Sequence, residues 1–213
     1  MPHGASRRFD YVTCRAALFQ ITRTRNSMKE PQGNTVKVIC ETTKGPFDIV
    51  VQPDWSPYGA ARFLQLLDDG HFDNLPLFRC VANFLCQFGS MPPRPNAKSY
   101  ATIPDDPKLP HLRNFHRGYL SFAGNGEHSR ATHMFITLGD NLDNLGTMPW
   151  ETPFGYVTDA GMQNTVSRFT TSYGDIPPWG GGPEPQKIEA PDGAWYLKLK
   201  FPALDYITSC RRA

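Results

Sequence analysis

A short apolar stretch, Leu77–Ser90, contains two polar side chains that any fold of this chain must accommodate, Arg79 and Gln87. The surrounding residues predict two strands, whose apolar side chains favour burial. Burying an unpaired guanidinium costs several kcal/mol. Arg79 therefore either pairs with a carboxylate of the protein, lies on the solvent face, or projects with Gln87 into a ligand groove floored by Phe84 and Leu85. Residue spacing leaves these alternatives open.

The same stretch resembles the signature strand pair of the cyclophilins, a family of peptidyl-prolyl cis/trans isomerases. Five residues match that signature at the right spacing and without a gap: Arg79, Phe84, Leu85, Gln87 and Gly89. The departures are Leu77 for an aromatic residue, Ala82-Asn83 for Pro-Gly, Phe88 for a glycine and Ser90 for an acid. A closing Gln-Phe-Gly is typical of a divergent branch of the family.

The composition favours a globular protein built from short strands. The 213 residues are 39% hydrophobic and include 20 prolines and 18 glycines, which suits tight turns better than a helical bundle. No apolar run approaches the roughly 18 residues of a transmembrane helix, so no membrane partner is expected. The six histidines lack metal-ligand spacing, so no metal site is expected.

The cysteines give an expectation about redox state. Their number is odd and none forms a Cys-x-x-Cys pair: Cys14, Cys40, Cys80, Cys86 and Cys210. This pattern predicts free thiols in a reducing compartment, with Cys80 and Cys86 as small core side chains.

Residues 1–34 differ from the rest in charge. They contain six basic and two acidic residues, whereas the remainder contains 16 basic and 18 acidic residues. The body is therefore not expected to bind nucleic acid. An arginine-rich, acid-poor leader can target a protein to a mitochondrion or plastid. The alternative is an extension that carries no targeting signal, on a cytoplasmic protein. The predicted domains are this extension, 1–34, and a domain over 35–207 that includes a C-terminal extension.

Periodicity predicts the elements around the signature. In Val36–Val51, apolar residues alternate with others on both sides of a turn at Lys44-Gly45, which predicts a hairpin. A helix with an apolar stripe is predicted to begin at Ser56-Pro57 and to end at Gly70. A second helical stripe includes Met162. Three further expectations concern the end of the chain: a flexible turn at Trp179–Pro183, a closing strand at Gln186–Ile188, and packing of the aromatic residues of 195–207 on the barrel.

Two later blocks, Arg117–Gly124 and Ala131–Ile136, resemble segments that line the proline pocket of cyclophilins. The resemblance implies that Ala123 and Phe135 line the pocket here, with Gly124 where the family has Asn and His133 where it has Gln. Leu145 corresponds loosely to a residue of the pocket rim. No histidine occurs between Leu142 and Phe154, where the family often has one, which argues against binding of the cyclic-peptide drug cyclosporin.

The resemblance covers about residues 36–207 and implies a mainly β fold. That fold is a closed antiparallel eight-stranded cyclophilin-like barrel capped by two α-helices, whereas periodicity alone predicts many short strands and two helices. The long segment 91–115 has no usable periodicity, and its role is left open.

The implied activity is peptidyl-prolyl cis/trans isomerisation without a cofactor. Arg79 would stabilise the twisted peptide bond, apolar residues would hold the proline ring (Phe84, Leu85, Phe135), and polar ones would fix the peptide (Gln87, His133). The expected partners of this monomer are proline-containing peptides or unfolded protein clients. The competing interpretation is a catalytically weak, cyclophilin-like module for proline-peptide binding or assembly, which the altered rim favours.

Overall fold

The structure is a computed structural model that describes residues 34–213 except positions 141, 143 and 149. The predicted leader, apart from Asn34, and Cys14 lie outside the described residues. Within them, no helix is long and apolar enough to span a bilayer.

One antiparallel sheet of nine strands forms the body of the described chain. In chain order its strands are β1 (Val36–Thr42), β2 (Phe47–Val51), β3 (Leu75–Pro76), β4 (Arg79–Val81), β5 (Leu85–Phe88), β6 (Tyr119–Phe122), β7 (Met134–Thr137), β8 (Gly155–Val157) and β9 (Tyr206–Arg212). Their order across the sheet is β3-β9-β1-β2-β8-β6-β7-β5-β4. The predicted hairpin is β1–β2, with Cys40 opposite Phe47.

The two end strands of this sheet are neighbours in the chain. Only Leu77 and Phe78 separate β3 from β4. Three residue steps span at most roughly 11 Å, so the sheet must curl until its first and last strands almost meet. This confirms the mainly β, curled antiparallel fold. The sheet has nine strands rather than the expected eight because Leu75-Pro76 adds a short one. The two end strands of the sheet are connected through the chain itself.

In the described part of the chain, four α-helices accompany the sheet: α1 (Pro57–Asp68), α2 (Asp159–Asn164), α3 (Pro185–Ile188) and α4 (Gly193–Lys200). The two predicted helices correspond to α1 and α2, and a 3-10 turn over Val166–Arg168 continues α2. The prediction of a closing strand at Gln186–Ile188 is wrong. Pro185 begins a helical turn there, which suits its fixed φ, and β9 pairs with β1 instead.

Strand alternation separates two apolar clusters on opposite faces of the sheet. The main core includes Cys86 and Phe88 of β5 and Met134 and Ile136 of β7. The intervening residues of these strands point the other way, and Leu85 and Phe135 belong to a second cluster. The curled sheet therefore has its main core inside and a smaller apolar surface outside.

The long segment 91–115 is attached to α1 through Asp106. Its carboxylate accepts hydrogen bonds from the backbone N–H groups of Tyr58 and Gly59, at 2.8 and 2.9 Å, and from the hydroxyl of Ser56. It also accepts a hydrogen bond from Nη1 of Arg130 at 2.9 Å, and the Arg130 side chain is fully buried. Asp106, rather than the Ser56 side chain, thus caps the helix.

The prediction of free thiols is wrong for the four described cysteines. Cys40 is joined to Cys210 and Cys80 to Cys86. Each pair lies directly opposite across two antiparallel strands, which brings the side chains together. Sequence spacing does not show this, because β9 reaches β1 from the far end of the chain. The inference of a reducing compartment from free thiols therefore loses its basis.

Burial of His71, in the turn after α1, makes the stability of the fold depend on pH. It lowers the pKa of this imidazole to about 4, although a hydrogen bond with the Gly89 backbone opposes the shift. An unfolded histidine titrates near 6.5, so the unfolded state binds more protons between these values. The free energy of unfolding is therefore about 3 kcal/mol higher above pH 6.5 than near pH 4, and this difference is lost as the pH falls between these values.

We predict that His71→Gln flattens this dependence, because glutamine does not titrate. Urea unfolding between pH 7 and 4 measures how the free energy of unfolding depends on pH. His111→Gln, at an exposed position, is the control and should keep the pH dependence of the native protein. The same pH dependence in both variants would contradict the role of His71.

We predict that Asp106→Ala lowers the free energy of unfolding by about 3–5 kcal/mol, since it leaves the buried Arg130 charge without its closest partner. Chemical denaturation measures the loss. Asp68→Ala removes a carboxylate from an ion pair with Arg212 on the surface and should change stability little. Equal losses of the free energy of unfolding in the two variants would show that burial of the Arg130–Asp106 pair does not contribute to stability.

Candidate active site

Four side chains form one row across the outer face of strands β4, β5, β7 and β6. The strand register places Arg79 opposite Gln87, Gln87 opposite Phe135, and Phe135 opposite Ser121. Directly opposed residues in antiparallel strands have Cα atoms roughly 5 Å apart. The register thereby brings Arg79 and Gln87 together with Phe135, which comes from a distant part of the sequence.

An apolar surface lies beside this row. Its buried members are Leu85, Leu112, Phe115, Tyr119, Phe135 and Leu145, and partly buried residues around them include Phe84 and Ala123. Phe135 stacks on Phe115 with ring centroids 6.1 Å apart. Leu85, Phe135 and Leu145 are covered almost completely, so Phe84 and Ala123 offer more of the accessible apolar surface.

Arg79 makes three contacts that hold its guanidinium in place. Nε and Nη2 donate to the two carboxylate oxygens of Asp175, at 2.6 and 3.1 Å. Nη1 donates to the Gln87 side-chain oxygen at 3.0 Å, and the guanidinium carbon lies 5.9 Å from the centre of the Phe84 ring. One of the alternatives left open by the sequence is therefore confirmed, since Arg79 pairs with a carboxylate; its projection into a ligand groove stays a prediction.

The Arg79–Asp175 pair is only partly shielded from solvent. Its side chains are 21% and 20% exposed. Hydrogen bonds from Arg79 hold the pKa of Asp175 below its ordinary value, and the Ile176 backbone N–H contributes. The carboxylate is therefore ionised at neutral pH and counters the guanidinium charge.

A cavity of about 470 Å³ adjoins the row on the side away from Arg79. Its lining includes Gln87, Ala123, Gly124 and His133, together with Glu189, which directly follows α3. Nε2 of His133 lies 3.3 Å from Oε1 of Glu189, and the Ser90 hydroxyl donates to the same oxygen at 2.9 Å. The polar residues predicted to fix a peptide thus border one cavity, and Glu189 gives it an acidic wall.

Close approach of Trp150 explains why Gly124 stands where the family has asparagine. A Cβ atom on Gly124 would lie 2.6 Å from Cδ1 of Trp150, far inside van der Waals contact. The indole therefore occupies the space that an asparagine side chain would need.

All nine residues predicted for the site lie along this face. Arg79, Gln87, Gly124 and His133 form its polar part, and Phe84, Leu85, Ala123, Phe135 and Leu145 its apolar part. Sequence reasoning assigned no role to Asp175, Glu189 or Trp150. Asp175 and Glu189 come from chain segments far from the signature; the one available signal was that Arg79 needed a carboxylate.

The arrangement suits a ligand that combines an apolar ring with peptide groups. The apolar surface can hold the ring, the Gln87 amide can hydrogen-bond to the peptide, and the Arg79 guanidinium lies beside both Gln87 and the Phe84 ring. No cluster of three or more histidine, cysteine or acidic side chains suited to a metal ion occurs in the described part of the chain.

Comparison with known proteins agrees with this geometry. A family model described as cyclophilin type peptidyl-prolyl cis-trans isomerase/CLD matches residues 36–175. Peptidyl-prolyl isomerase CWC27 of Yarrowia lipolytica is 38% identical over 95 residues, which make up 44% of this chain and 26% of that protein. The spliceosome-associated protein CWC27 homolog of Xenopus laevis is 29% identical over 154 residues, 70% of this chain and 31% of that protein. The matched segment thus spans about a quarter to a third of these relatives.

A solved structure shows the same fold. The crystal structure of a Cryptosporidium parvum cyclophilin type peptidyl-prolyl cis-trans isomerase aligns with a TM-score of 0.59 at 18% identity. The alignment covers 84% of this chain and 98% of that chain. This confirms the cyclophilin-like fold that the signature implied.

Proposed function

This chain belongs to the cyclophilin-type peptidyl-prolyl cis/trans isomerase family, and we propose that it accelerates rotation about X-Pro bonds in protein substrates. The observation that carries the proposal is the row of Arg79, Gln87 and Phe135 on one face, beside an apolar surface. The isomerase domain is proposed to begin at residue 35, with residues 1–34 outside it. The substrates are proline-containing segments of other proteins.

The barrier to be lowered is that of amide resonance. Rotation about an X-Pro bond costs roughly 18–20 kcal/mol, and the uncatalysed exchange takes tens to hundreds of seconds. A gain of about 10⁵ in rate needs about 7 kcal/mol of stabilisation that the twisted state receives and the planar states do not. The site must therefore recognise the twisted bond specifically.

Arg79 supplies that recognition in our proposal. When the bond twists, the proline nitrogen becomes pyramidal and gains a lone pair. A preorganised cation beside that nitrogen stabilises the twisted state more than the planar one. Because the guanidinium does not lose its proton in proteins, it needs no base and transfers no proton. Hydrogen bonds to Gln87 and Asp175 keep it oriented before the substrate arrives.

The neighbouring residues hold the substrate. Phe84 and Ala123 provide apolar contact for the pyrrolidine ring, and the buried Leu85, Phe135 and Leu145 support this surface from below. Gln87 and His133, together with the backbone of Gly124, hydrogen-bond to the peptide beside the proline. These contacts place the ring so that its nitrogen faces Arg79.

A second candidate function is a binding module with weak catalysis. Two observations favour it: a carboxylate counters the Arg79 charge, and one relative is named as spliceosome-associated. In that case the chain would bind proline-containing segments within a splicing assembly, in the nucleus rather than in the cytoplasm. Binding of an X-Pro peptide without acceleration of its isomerisation would support this second function.

We predict that Arg79→Ala lowers the isomerase kcat/KM by about 10²–10³, as the loss of one preorganised electrostatic group does. A protease-coupled assay with an X-Pro peptide measures the change. The matched control is Arg212→Ala, which removes another bidentate arginine–aspartate pair away from the row. Full activity of a folded Arg79→Ala protein would exclude Arg79 from catalysis, and an equal loss in both variants would indicate a general structural effect.

A further inference from the structure

We propose that Asp175 is a positioning residue of this site, whose carboxylate fixes the orientation of Arg79 and, by countering its charge, limits the rate of isomerisation. The proposal rests on the proposed function, since it concerns the same reaction. It assigns a role in rate control to a residue that lies 96 positions from Arg79 in the sequence.

The donors of Arg79 show how the two effects arise together. A guanidinium has five N–H groups. Asp175 accepts from Nε and from Nη2, and Gln87 accepts from Nη1. One N–H on each Nη therefore has no partner among the described residues. The bidentate pair thus fixes the plane of the guanidinium and still leaves it two donors for a ligand.

The fold holds Asp175 rigidly enough for this role. Its carboxylate also accepts a hydrogen bond from the Ile176 backbone N–H at 2.7 Å, and its backbone oxygen accepts one from Gly182 at 2.8 Å. A Cβ atom on Gly180 would lie 2.3 Å from that oxygen. Gly174 is bridged to Cys80 of β4, the residue after Arg79.

Gly180 and Gly182 therefore both approach the backbone oxygen of Asp175. The turn expected at Trp179–Pro183 is present, and its flexibility stays a prediction. Because the backbone on both sides of Asp175 is tied to its neighbours, the carboxylate cannot move away from Arg79 with the backbone, and its hydrogen bonds with Arg79 and with the Ile176 N–H hold the side-chain rotamer.

The sign of the effect follows from the charges. Arg79 acts on a lone pair that is present only in the twisted state. The Asp175 carboxylate, which is in contact with the guanidinium, repels the same lone pair and weakens the net field. Both charges are partly shielded from water, so the field is only partly screened. Removing the negative charge while keeping a hydrogen-bond acceptor should therefore accelerate the twist.

Asp175→Asn makes that change with almost no change in shape. Its side-chain oxygen, placed where Oδ1 is, can still accept from Arg79 Nε and from the Ile176 N–H, whereas the hydrogen bond from Arg79 Nη2 to Oδ2 is lost. We expect kcat to rise about 3–10-fold. KM should change little, because the contacts that hold the ring and the peptide remain. A purely structural role of Asp175 would instead predict a lower kcat together with a lower melting temperature.

The test compares kcat, KM and melting temperature of the full chain carrying wild-type, Asp175→Asn, Arg79→Ala and combined substitutions. Asp68→Asn is the matched control, since it changes the same net charge within the Asp68–Arg212 pair. The proposal predicts a gain in kcat for Asp175→Asn alone. It also predicts no gain when Arg79 is already alanine, and none for Asp68→Asn. If Asp175→Asn fails to fold, Asp175→Ser provides the same loss of charge with a smaller acceptor.

The outcomes separate this inference from the proposed function. An active wild-type protein whose kcat is unchanged or lowered by Asp175→Asn overturns the inference and leaves the isomerase in place. A gain that persists without Arg79 overturns it as well, because the effect would then not act through the guanidinium. Absence of activity in both wild-type and Asp175→Asn proteins overturns the proposed function and this inference together.

Discussion

Strand register is the constraint on which the site depends. Side chains alternate between the two faces of the sheet, so a shift of one residue in β5 would turn Leu85 and Gln87 into the barrel and Cys86 and Phe88 out of it. The main core prevents this slip, because the large apolar side chains of these strands lie inside. The same packing that stabilises the fold therefore aligns Arg79 with Gln87 and Phe135.

A third apolar cluster explains how the C-terminal segment contributes to the site. Phe78, directly before Arg79, packs with Ile188, Leu197, Phe201 and Leu204, so the segment after β8 is fastened beside the signature strands. This packing accompanies the placement of Asp175 at Arg79 and of Glu189 in the cavity beside Gln87. Both carboxylates are thereby positioned by a part of the chain that mostly lies outside the matched family segment.

The strands and α1 were largely predictable from the sequence, because strand alternation and a helical stripe are local signals, whereas the barrel topology was predictable only through the resemblance. The site was predictable only through the resemblance: periodicity left Arg79 with several alternative environments. The contacts of Asp175 and Glu189 and the Cys40–Cys210 disulfide join distant segments, which no local pattern encodes. The expected packing of the C-terminal aromatic residues holds for Phe201 but is wrong for Trp195, which is 63% exposed. In a helix as short as α4, one face packs while the opposite face remains in solvent.

A proline peptide that is a substrate should meet Arg79 and Gln87 on the outer face of the sheet. Nuclear magnetic resonance of the arginine guanidinium and glutamine amide groups during titration with an X-Pro peptide tests it most directly. The account predicts that the side-chain signals of Arg79 and Gln87 shift with saturation, while those of the buried Arg130 and of Arg212, in its pair with Asp68, do not. Saturable binding that leaves the Arg79 and Gln87 signals unchanged would contradict the claim.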